Sequence, residues 1–245
     1  MASGYRSTFV LGKPTMEPVA RGVWVVRGGV PVRGMNVYLI EDEGGVTMFD
    51  AGIGDMTGPL RDICERMGGL RRIVLGHAHP DHRGSAPALG APVLCHPEEV
   101  ADAEGDGGRH YWDLSLLDWY GKWLGPANTH WDGGPVNVAG TVSEGDEVAG
   151  FRVVHLPGHA PGLIGLWREE DGLALASDAL YMLDPQTSRF GEARLPHRAF
   201  NWSTEQARSS LRKLAALEPR AVWAGHANPV TGDVRSRLEH GAATT

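Results

Sequence analysis

The sequence has few of the features that mark secreted or membrane-bound proteins. It contains only two cysteines, Cys64 and Cys95, which excludes a disulfide framework. No apolar run approaches the roughly 20 residues that a membrane-spanning helix needs. The opening residues also lack the apolar core of a signal peptide. We therefore expect a cytoplasmic protein that does not associate with membranes.

Basic charge and several familiar catalytic motifs are lacking too. The chain has 23 Lys and Arg against 30 Asp and Glu, a formal net charge of -7. This balance provides no broad positive surface for a phosphate backbone, so nucleic acid is not an expected partner. There is no G-x-S-x-G, P-loop or H-E-x-x-H motif. The sequence thus gives no sign of a protein-borne nucleophile.

What the chain does contain is a normal supply of apolar residues, with many glycines and histidines. Its 245 residues are 42% hydrophobic and include 34 glycines and 11 histidines. A chain of this length can bury about three quarters of its surface on folding. No linker divides it, so we expect one domain over residues 1–245.

Short strand-like runs alternate with helical patterns, which predicts a mixed α/β fold. Leu60 to Met67 shows helical spacing, and Ser203 with Gln206 forms a capping box before another helix. A turn-rich EDEGG segment predicts that the second and third strands pair as a hairpin. The predicted strands are Val23–Val26, Asn36–Ile40, Val46–Phe49, Arg72–Leu75, Pro92–Cys95, Phe151–Leu156, Ile164–Arg168, Leu173–Ala176 and Ala221–Ala224.

The densest group of potential metal ligands is the HAHPDH segment, which directly follows a predicted strand. Residues two apart in an extended segment point to the same side, so His77 and His79 can hold one ion. Pro80 biases His79 away from the helical region. Asp81 and His82 come after it and can address a second ion. A ligand set without thiols suits zinc, manganese or iron rather than calcium.

Further potential ligands follow later strands. His159 lies in LPGHAPG, Asp178 ends an apolar strand, and His226 follows in AGH. Each of them alone is compatible with an ordinary loop residue or a turn cap. Together with HAHPDH they predict a metal centre built from several loops.

These residues resemble the metallo-β-lactamase superfamily, whose H-x-H-x-D-H motif matches HAHPDH and whose later positions match the other ligands. The resemblance implies a four-layered αβ/βα sandwich with the site at one edge. It also implies a role for each residue: His77, His79 and His159 on a first metal; Asp81, His82 and His226 on a second; Asp178 between them; and Asp50 in MFDAG as a residue that orients ligands.

The resemblance implies a dinuclear hydrolase with two divalent ions, zinc first and manganese or iron as alternatives. A metal-bridging hydroxide would attack an ester, lactone or thioester carbonyl. Asp81 would position it and pass a proton to the leaving group. Tyr181, three residues after Asp178, is similar in position to a tyrosine that lactonases of the family use near the substrate carbonyl. The alternative interpretation is that Tyr181 is a packed aromatic residue or lies at the rim of the site.

A tryptophan-rich segment around residues 109–131 holds four of the eight tryptophans. Trp112, Trp119 and Trp123 fall near one face if the segment is helical, which predicts a helical insertion. Such a face would form an apolar wall or lid for a small-molecule substrate with an apolar portion. Packing on the core, or on a second copy in a homodimer, is the alternative.

Some subfamilies of this superfamily are not expected, because the chain lacks features that characterise them. β-Lactamases carry a cysteine ligand or a different second-site pattern, so β-lactam hydrolysis is not expected. Glyoxalase II members recognise glutathione through an added C-terminal region, whereas 19 residues (245 minus 226) follow His226. The alternative is a persulfide dioxygenase, which would use a single iron ion on the same scaffold. A non-catalytic binding protein is disfavoured because every ligand position is filled.

Overall fold

A computed structural model describes residues 14–28, 34–117, 131–183 and 190–243 of the chain. The first half of these residues forms a seven-stranded sheet in sequential order. Its first four strands pair antiparallel, and the pairs from the fourth strand onward are parallel. The strands are β1 (Thr15–Ala20), β2 (Val23–Gly28), β3 (Met35–Asp42), β4 (Gly45–Phe49), β5 (Leu70–Val74), β6 (Val93–Cys95) and β7 (Val138–Thr141).

The second half forms a six-stranded sheet with one parallel pair. The strands are β8 (Glu147–Val148), β9 (Phe151–His155), β10 (Ile164–Arg168), β11 (Leu173–Ser177), β14 (Ala221–Ala224) and β15 (Val230–Thr231). Their spatial order is β15-β14-β11-β10-β9-β8, in which β11 and β14 run parallel. A separate two-stranded ribbon joins β12 (Tyr181–Leu183) and β13 (Phe190–Arg194).

Helices cover the outer faces of both sheets. They are α1 (Thr57–Arg66), α2 (Pro80–Arg83), α3 (Ala86–Leu89), α4 (Val100–Ala103), α5 (Thr204–Ala216) and α6 (Val234–Ala243). One buried apolar cluster lies between the two sheets. A second joins the first sheet to α1 and α3, and a third joins the second sheet to α5 and α6. Three apolar interfaces thus define four layers, which confirms the predicted αβ/βα sandwich.

None of the helices in the described ranges is long and apolar enough to span a bilayer.

Several local predictions are confirmed by backbone geometry. β3 and β4 form the predicted hairpin, whose two turn residues Glu43 and Gly44 have φ of 49° and 81°. Positive φ at both central residues matches the right-handed twist of paired strands. The Ser203 side chain accepts a hydrogen bond from the Gln206 amide at 3.3 Å and so caps α5.

The part of the tryptophan-rich segment that the structure describes before residue 118 differs from its prediction as a helix. Two 3-10 turns, Arg109–Tyr111 and Leu114–Leu116, are present there, and Trp112 between them is extended at φ -74° and ψ 133°. A new turn starts at Asp113, whose side chain accepts from the Ser115 amide and so interrupts a continuous helix. Trp112 therefore does not present a helical face, and Trp119 and Trp123 lie outside the described residues.

Candidate metal centre

The predicted ligands come together because they follow strands that end at the same edge of the sandwich. β4 and β5 run parallel in one sheet, and β11 and β14 run parallel in the other. The carboxyl ends of parallel strands meet at one edge, where loops carry polar side chains without interrupting the sheet. The residues placed there are Asp50 after β4, His77 and His79 after β5, His159 after β9, Asp178 after β11 and His226 after β14.

Three histidines form what we call the first group: His77, His79 and His159. One ring nitrogen from each lies within 4.8 Å of the others. The ring centroids are 4.5 Å apart for His77 and His79, and 4.5 Å apart for His79 and His159. All three side chains are buried. Neutral imidazoles converging in this way suit a transition-metal ion.

Asp81, His82 and His226 form the second group, whose ligand atoms also lie within 4.8 Å of one another. Asp178 stands between the two groups. Its Oδ2 lies 3.6 Å from His159 Nε2, 3.5 Å from His82 Nε2 and 3.3 Å from His226 Nε2. The structure thus brings all seven sequence-predicted ligands to one place, with Asp178 where a shared ligand would sit.

Each histidine uses the ring nitrogen that points away from the centre, its outer nitrogen, for a hydrogen bond. The other ring nitrogen, its inner nitrogen, faces the centre. The inner nitrogens of His77, His82 and His159, and Oδ1 of Asp178, are buried without a hydrogen-bond partner in the described part of the chain. Buried polar atoms are normally paired, so such a set indicates cation ligands. The outer bonds run from His77 Nδ1 to Ser177 Oγ (3.1 Å), His82 Nδ1 to Asp50 Oδ2 (2.9 Å), His159 Nδ1 to Asn201 Oδ1 (3.0 Å) and His226 Nδ1 to the Gly34 carbonyl (3.3 Å).

Asp50 orients this network without offering a free oxygen. Its Oδ1 accepts from the Gly76 amide at 2.7 Å, and its Oδ2 accepts from Ser177 Oγ at 2.7 Å and from His82 at 2.9 Å. Asp50 and Ser177 both have positive φ, 58° and 45°. Non-glycine residues in that region are strained, and strain of this kind concentrates at functional sites. Ser177, Asn201 and Gly34 carry no motif that identifies them in the sequence.

The charges of the two groups differ. Burial holds the pKa of His77 and His79 well below the usual histidine value, so both are neutral at pH 7. Burial acts in the same direction on His82, but the charges of Asp178 and Asp50 outweigh it and raise its pKa well above the usual value. Burial alone would raise the pKa of Asp178, yet His226 and His82 hold it well below its usual range. The carboxylates thus keep positive charge beside them, as a divalent ion would provide.

Two glycines leave room for the ligands. A Cβ at Gly225 would overlap the Asp178 carboxylate and the His82 ring, and one at Gly76 would overlap the Ser177 side chain. Each glycine follows a strand that ends at the centre, where a side chain would collide with these groups. Both positions therefore admit only a residue without a side chain.

Aromatic side chains surround the first group on its outer side. The Trp112 ring centroid lies 5.0 Å from that of His79 and 5.2 Å from that of Phe200. Tyr111 packs at 5.7 Å against Trp202, which is 52% exposed. The sequence predicted Trp112 but not its chain neighbour Tyr111, and it did not predict Phe200 or Trp202, which come from a distant segment.

Tyr111 also bonds directly to a predicted ligand. Its hydroxyl lies 2.8 Å from His79 Nε2, and the Trp112 indole nitrogen lies 3.2 Å from the same atom. If His79 binds a metal through Nδ1, its Nε2 carries a proton and needs an acceptor. An indole N–H has no lone pair to offer, whereas a phenol oxygen does. The Tyr111 hydroxyl is therefore the partner that this ligand state requires.

We expect Tyr111→Phe to weaken zinc binding by about ten-fold, the lower end of what losing an outer hydrogen bond to a metal ligand costs. Competition with a chromophoric chelator measures this affinity. Trp112→Phe is the matched control, because it removes the indole N–H and leaves the Tyr111 bond in place. Weaker binding in the control alone would contradict the assignment.

Comparisons with known proteins agree with this geometry. The family model described as the metallo-beta-lactamase superfamily matches residues 30–226. The probable metallo-hydrolase YflN of Bacillus subtilis is 27% identical over 228 residues, covering 83% of this chain and 84% of that protein. A hydroxyacylglutathione hydrolase of Cereibacter sphaeroides is 30% identical over 207 residues, covering 80% of this chain and 67% of that protein.

Solved structures share the fold. The metallo-beta-lactamase family protein TTHA1429 of Thermus thermophilus superposes with a TM-score of 0.67 at 27% identity, covering 92% of this chain and 80% of that one. TTHA1623 in a di-iron-bound form superposes with a TM-score of 0.64 at 27% identity, covering 87% of this chain and 97% of that one. The family model matches most of this chain, and His and Asp clusters able to bind metal lie at the expected edge of the sandwich. The chain therefore belongs to the metallo-β-lactamase superfamily.

Proposed function

We propose that the protein is a dinuclear metal-dependent hydrolase that cleaves an ester, lactone or thioester. The observation that carries this proposal is the set of buried, unpartnered ligand atoms that face one centre, with Asp178 between the two groups. Two divalent ions held there would supply a water with a pKa of about 7 and would polarise a carbonyl. Zinc suits the ligand set best, with manganese or iron as alternatives.

Asp81 is the candidate proton carrier of this site. Its side chain is 17% exposed and lies 3.5 Å from His226 Nε2, whereas Asp178 and His82 are almost fully enclosed. Solvent and substrate therefore approach from the side of Asp81 and His226. Asp81 can accept a hydrogen bond from the attacking water and pass the proton to the leaving atom.

Tyr181 is the candidate hydrogen-bond donor to the substrate carbonyl. Its ring centroid lies 5.7 Å from that of His159 and 6.0 Å from that of His226. Burial and the nearby Asp178 carboxylate raise the pKa of the Tyr181 phenol well above its usual value. The hydroxyl thus stays protonated at neutral pH and can donate to an oxygen that gains negative charge.

The aromatic side chains near the first group suggest the kind of substrate. Trp112, Phe200, Tyr111 and Trp202 together offer an apolar surface beside the metal centre. We infer a small-molecule substrate with an apolar acyl or alcohol portion that packs on this surface. The thioester class is supported by the relative named hydroxyacylglutathione hydrolase. Trp119 and Trp123 remain predicted members of the same surface, and a homodimer remains a prediction.

We expect Trp202→Ala to raise KM for long-chain or aryl substrates by about three- to ten-fold, since an aromatic contact contributes roughly 0.5–1.5 kcal/mol beyond its buried area. Short acetyl substrates and metal content should be unaffected. Steady-state kinetics over a chain-length series measures the effect. Met16→Ala is the control, because Met16 is 45% exposed on β1. An unchanged chain-length profile in Trp202→Ala would remove this side chain from the substrate surface.

The hydrolase proposal is tested by a substrate panel on purified protein of known metal content. The panel covers aryl esters, lactones of varied chain length, acyl thioesters and β-lactams. We expect about two metal ions per chain and hydrolysis of at least one of the first three classes. One iron per chain, with oxygen consumed on a persulfide, would instead identify a dioxygenase and overturn the proposal.

A further inference from the structure

Glu99 is a buried carboxylate that does not belong to the ligand set. It ends the 3-10 turn Pro97–Glu99, which follows β6, and its exposed fraction is 0%. No ion pair within the described ranges includes it, and burial raises the pKa of its carboxyl to about 8. Burying a carboxylate without a cation is unfavourable. The burial of Glu99, despite this unfavourable free energy, therefore needs a structural or functional explanation.

The Glu99 carboxylate bridges the two segments that carry the first group. Its Oε2 accepts from the Ala78 amide at 2.8 Å, and its Oε1 accepts from the Gly162 amide at 2.8 Å. Ala78 lies between His77 and His79, and Gly162 lies three residues after His159. A single side chain therefore spans the loop after β5 and the loop after β9, which together supply all three histidines.

The fit around this bridge is close. A Cβ at Gly162 would stand 2.9 Å from Glu99 Cγ and 3.0 Å from the Glu99 amide nitrogen, so the loop packs directly on the glutamate. The Ile164 amide, at the start of β10, also donates to the Gly76 carbonyl at 2.8 Å, a second link between the same two segments. After β9, the glutamate bond at Gly162 lies nearer to His159 than this backbone bond does. After β5, Ala78 adjoins both His77 and His79, whereas Gly76 adjoins only His77.

We propose that Glu99 is a positioning residue that sets the distance between the two loops and hence the metal geometry of the first group. The inference rests on the proposed metal centre. Zinc–nitrogen bonds are about 2.0–2.1 Å long and tetrahedral sites tolerate little displacement, so three histidines on two separate loops need a fixed spacing. Glu99 provides it through two acceptors at the correct reach.

Two substitutions separate spacing from the mere presence of a carboxyl group. Glu99→Gln keeps the length but offers one acceptor and one NH2 group, so one of the two amides would face a donor. Glu99→Asp keeps the carboxyl group but is one methylene shorter and cannot reach both amides. If spacing is what matters, both variants weaken the first group. If only the presence of a carboxyl group matters, the aspartate variant behaves as the parent protein.

The experiment measures zinc affinity by chelator competition in two backgrounds of the full chain. His226→Ala leaves the first group to bind the ion, and His159→Ala leaves the second group. We expect Glu99→Gln and Glu99→Asp to lower affinity by about ten-fold or more in the His226→Ala background and to have little effect in the other. Cobalt-substituted protein should show an altered visible absorption band in the same background only. Glu65→Gln, at an exposed position on α1 and outside both groups, is the control.

The outcomes distinguish this inference from the proposed function. If the parent protein binds no metal, the proposed function fails. If the parent binds metal and the Glu99 variants lose thermal stability with unchanged affinity and cobalt spectra, Glu99 has only a structural role and the inference fails. Failure of both Glu99 variants to fold with zinc present also counts against it, since a spacing role predicts folded protein with weakened metal binding.

Discussion

Asp178→Ala is expected to remove metal and turnover together. The Asp178 carboxylate lies within 3.6 Å of His159, His82 and His226 nitrogens, so both groups lose their shared ligand in this variant. His82 and His226 also lose the negative charge that raises their pKa. We expect metal content to fall from about two ions per chain to one or fewer. The value of kcat/KM should fall on the order of a thousand-fold or more, about 4 kcal/mol of transition-state stabilisation.

Metal content by atomic emission and hydrolysis of the best panel substrate measure this result on the same preparation. Asp178→Asn tests the role of charge, because it keeps the shape and one oxygen but not the anion. Asp171→Ala is the control, since Asp171 pairs with Arg168 in the turn after β10, away from the centre. Two ions per chain and full activity in Asp178→Ala would mean that the metal centre is assigned to the wrong residues.

The ligands themselves could be predicted because their local chemistry is unusual. His77, His79, Asp81 and His82 lie within six residues, and their mutual geometry follows from an extended segment that then turns. The meeting of this segment with His226 depends on two sheets packing face to face. No local pattern contains that information, and the resemblance to a family supplied it.

The partners that orient the ligands could not be predicted in the same way. Ser177, Asn201 and Tyr111 act through single hydrogen bonds whose existence depends on loop positions in three dimensions. Glu99 escapes notice for another reason, as does Arg83, a buried arginine that directly follows His82. Charged residues are usually exposed, so a sequence gives no sign that a particular one is buried and hydrogen-bonded.

Among the fold elements, the strands that patterning identified are the apolar ones. β8 and β15 contain two residues each, and β7 is only half-buried, so none of them shows a run long enough to recognise. Residues 109–117 of the tryptophan-rich segment show the opposite error, in which helical spacing suggests a helix. Asp113 and the positive φ of Gly108 instead favour turns over residues 109–117.

Arg83 joins three segments next to the metal centre. Its Nε and Nη2 donate to the two carboxylate oxygens of Asp132 at 3.1 and 2.9 Å. Its Nη1 donates to the carbonyls of Asp102, Ala103 and Gly105 at 2.8, 2.9 and 3.1 Å. Acidic, glycine-rich sequences such as residues 102–108 are typical of mobile loops, but here the buried guanidinium anchors the backbone.

We expect Arg83→Met to lower the free energy of unfolding by about 3–5 kcal/mol, because it leaves a buried carboxylate and three carbonyls without their donor. Arg109 and the Gly134 amide each keep a bond to Asp132 at 3.0 Å, which places the loss toward the lower end. Urea denaturation followed by tryptophan fluorescence measures the change.

Arg71→Met is the control, since Arg71 pairs with the exposed Glu43 and a surface pair contributes about 0–1 kcal/mol. A loss in Arg83→Met no larger than in this control would show that the guanidinium does not anchor the loop. Adding Asp132→Leu to Arg83→Met separates the two halves of the interaction. The double variant should recover the part due to the loss of the two Arg83 bonds by the Asp132 carboxylate, and the remaining loss reports the three carbonyls.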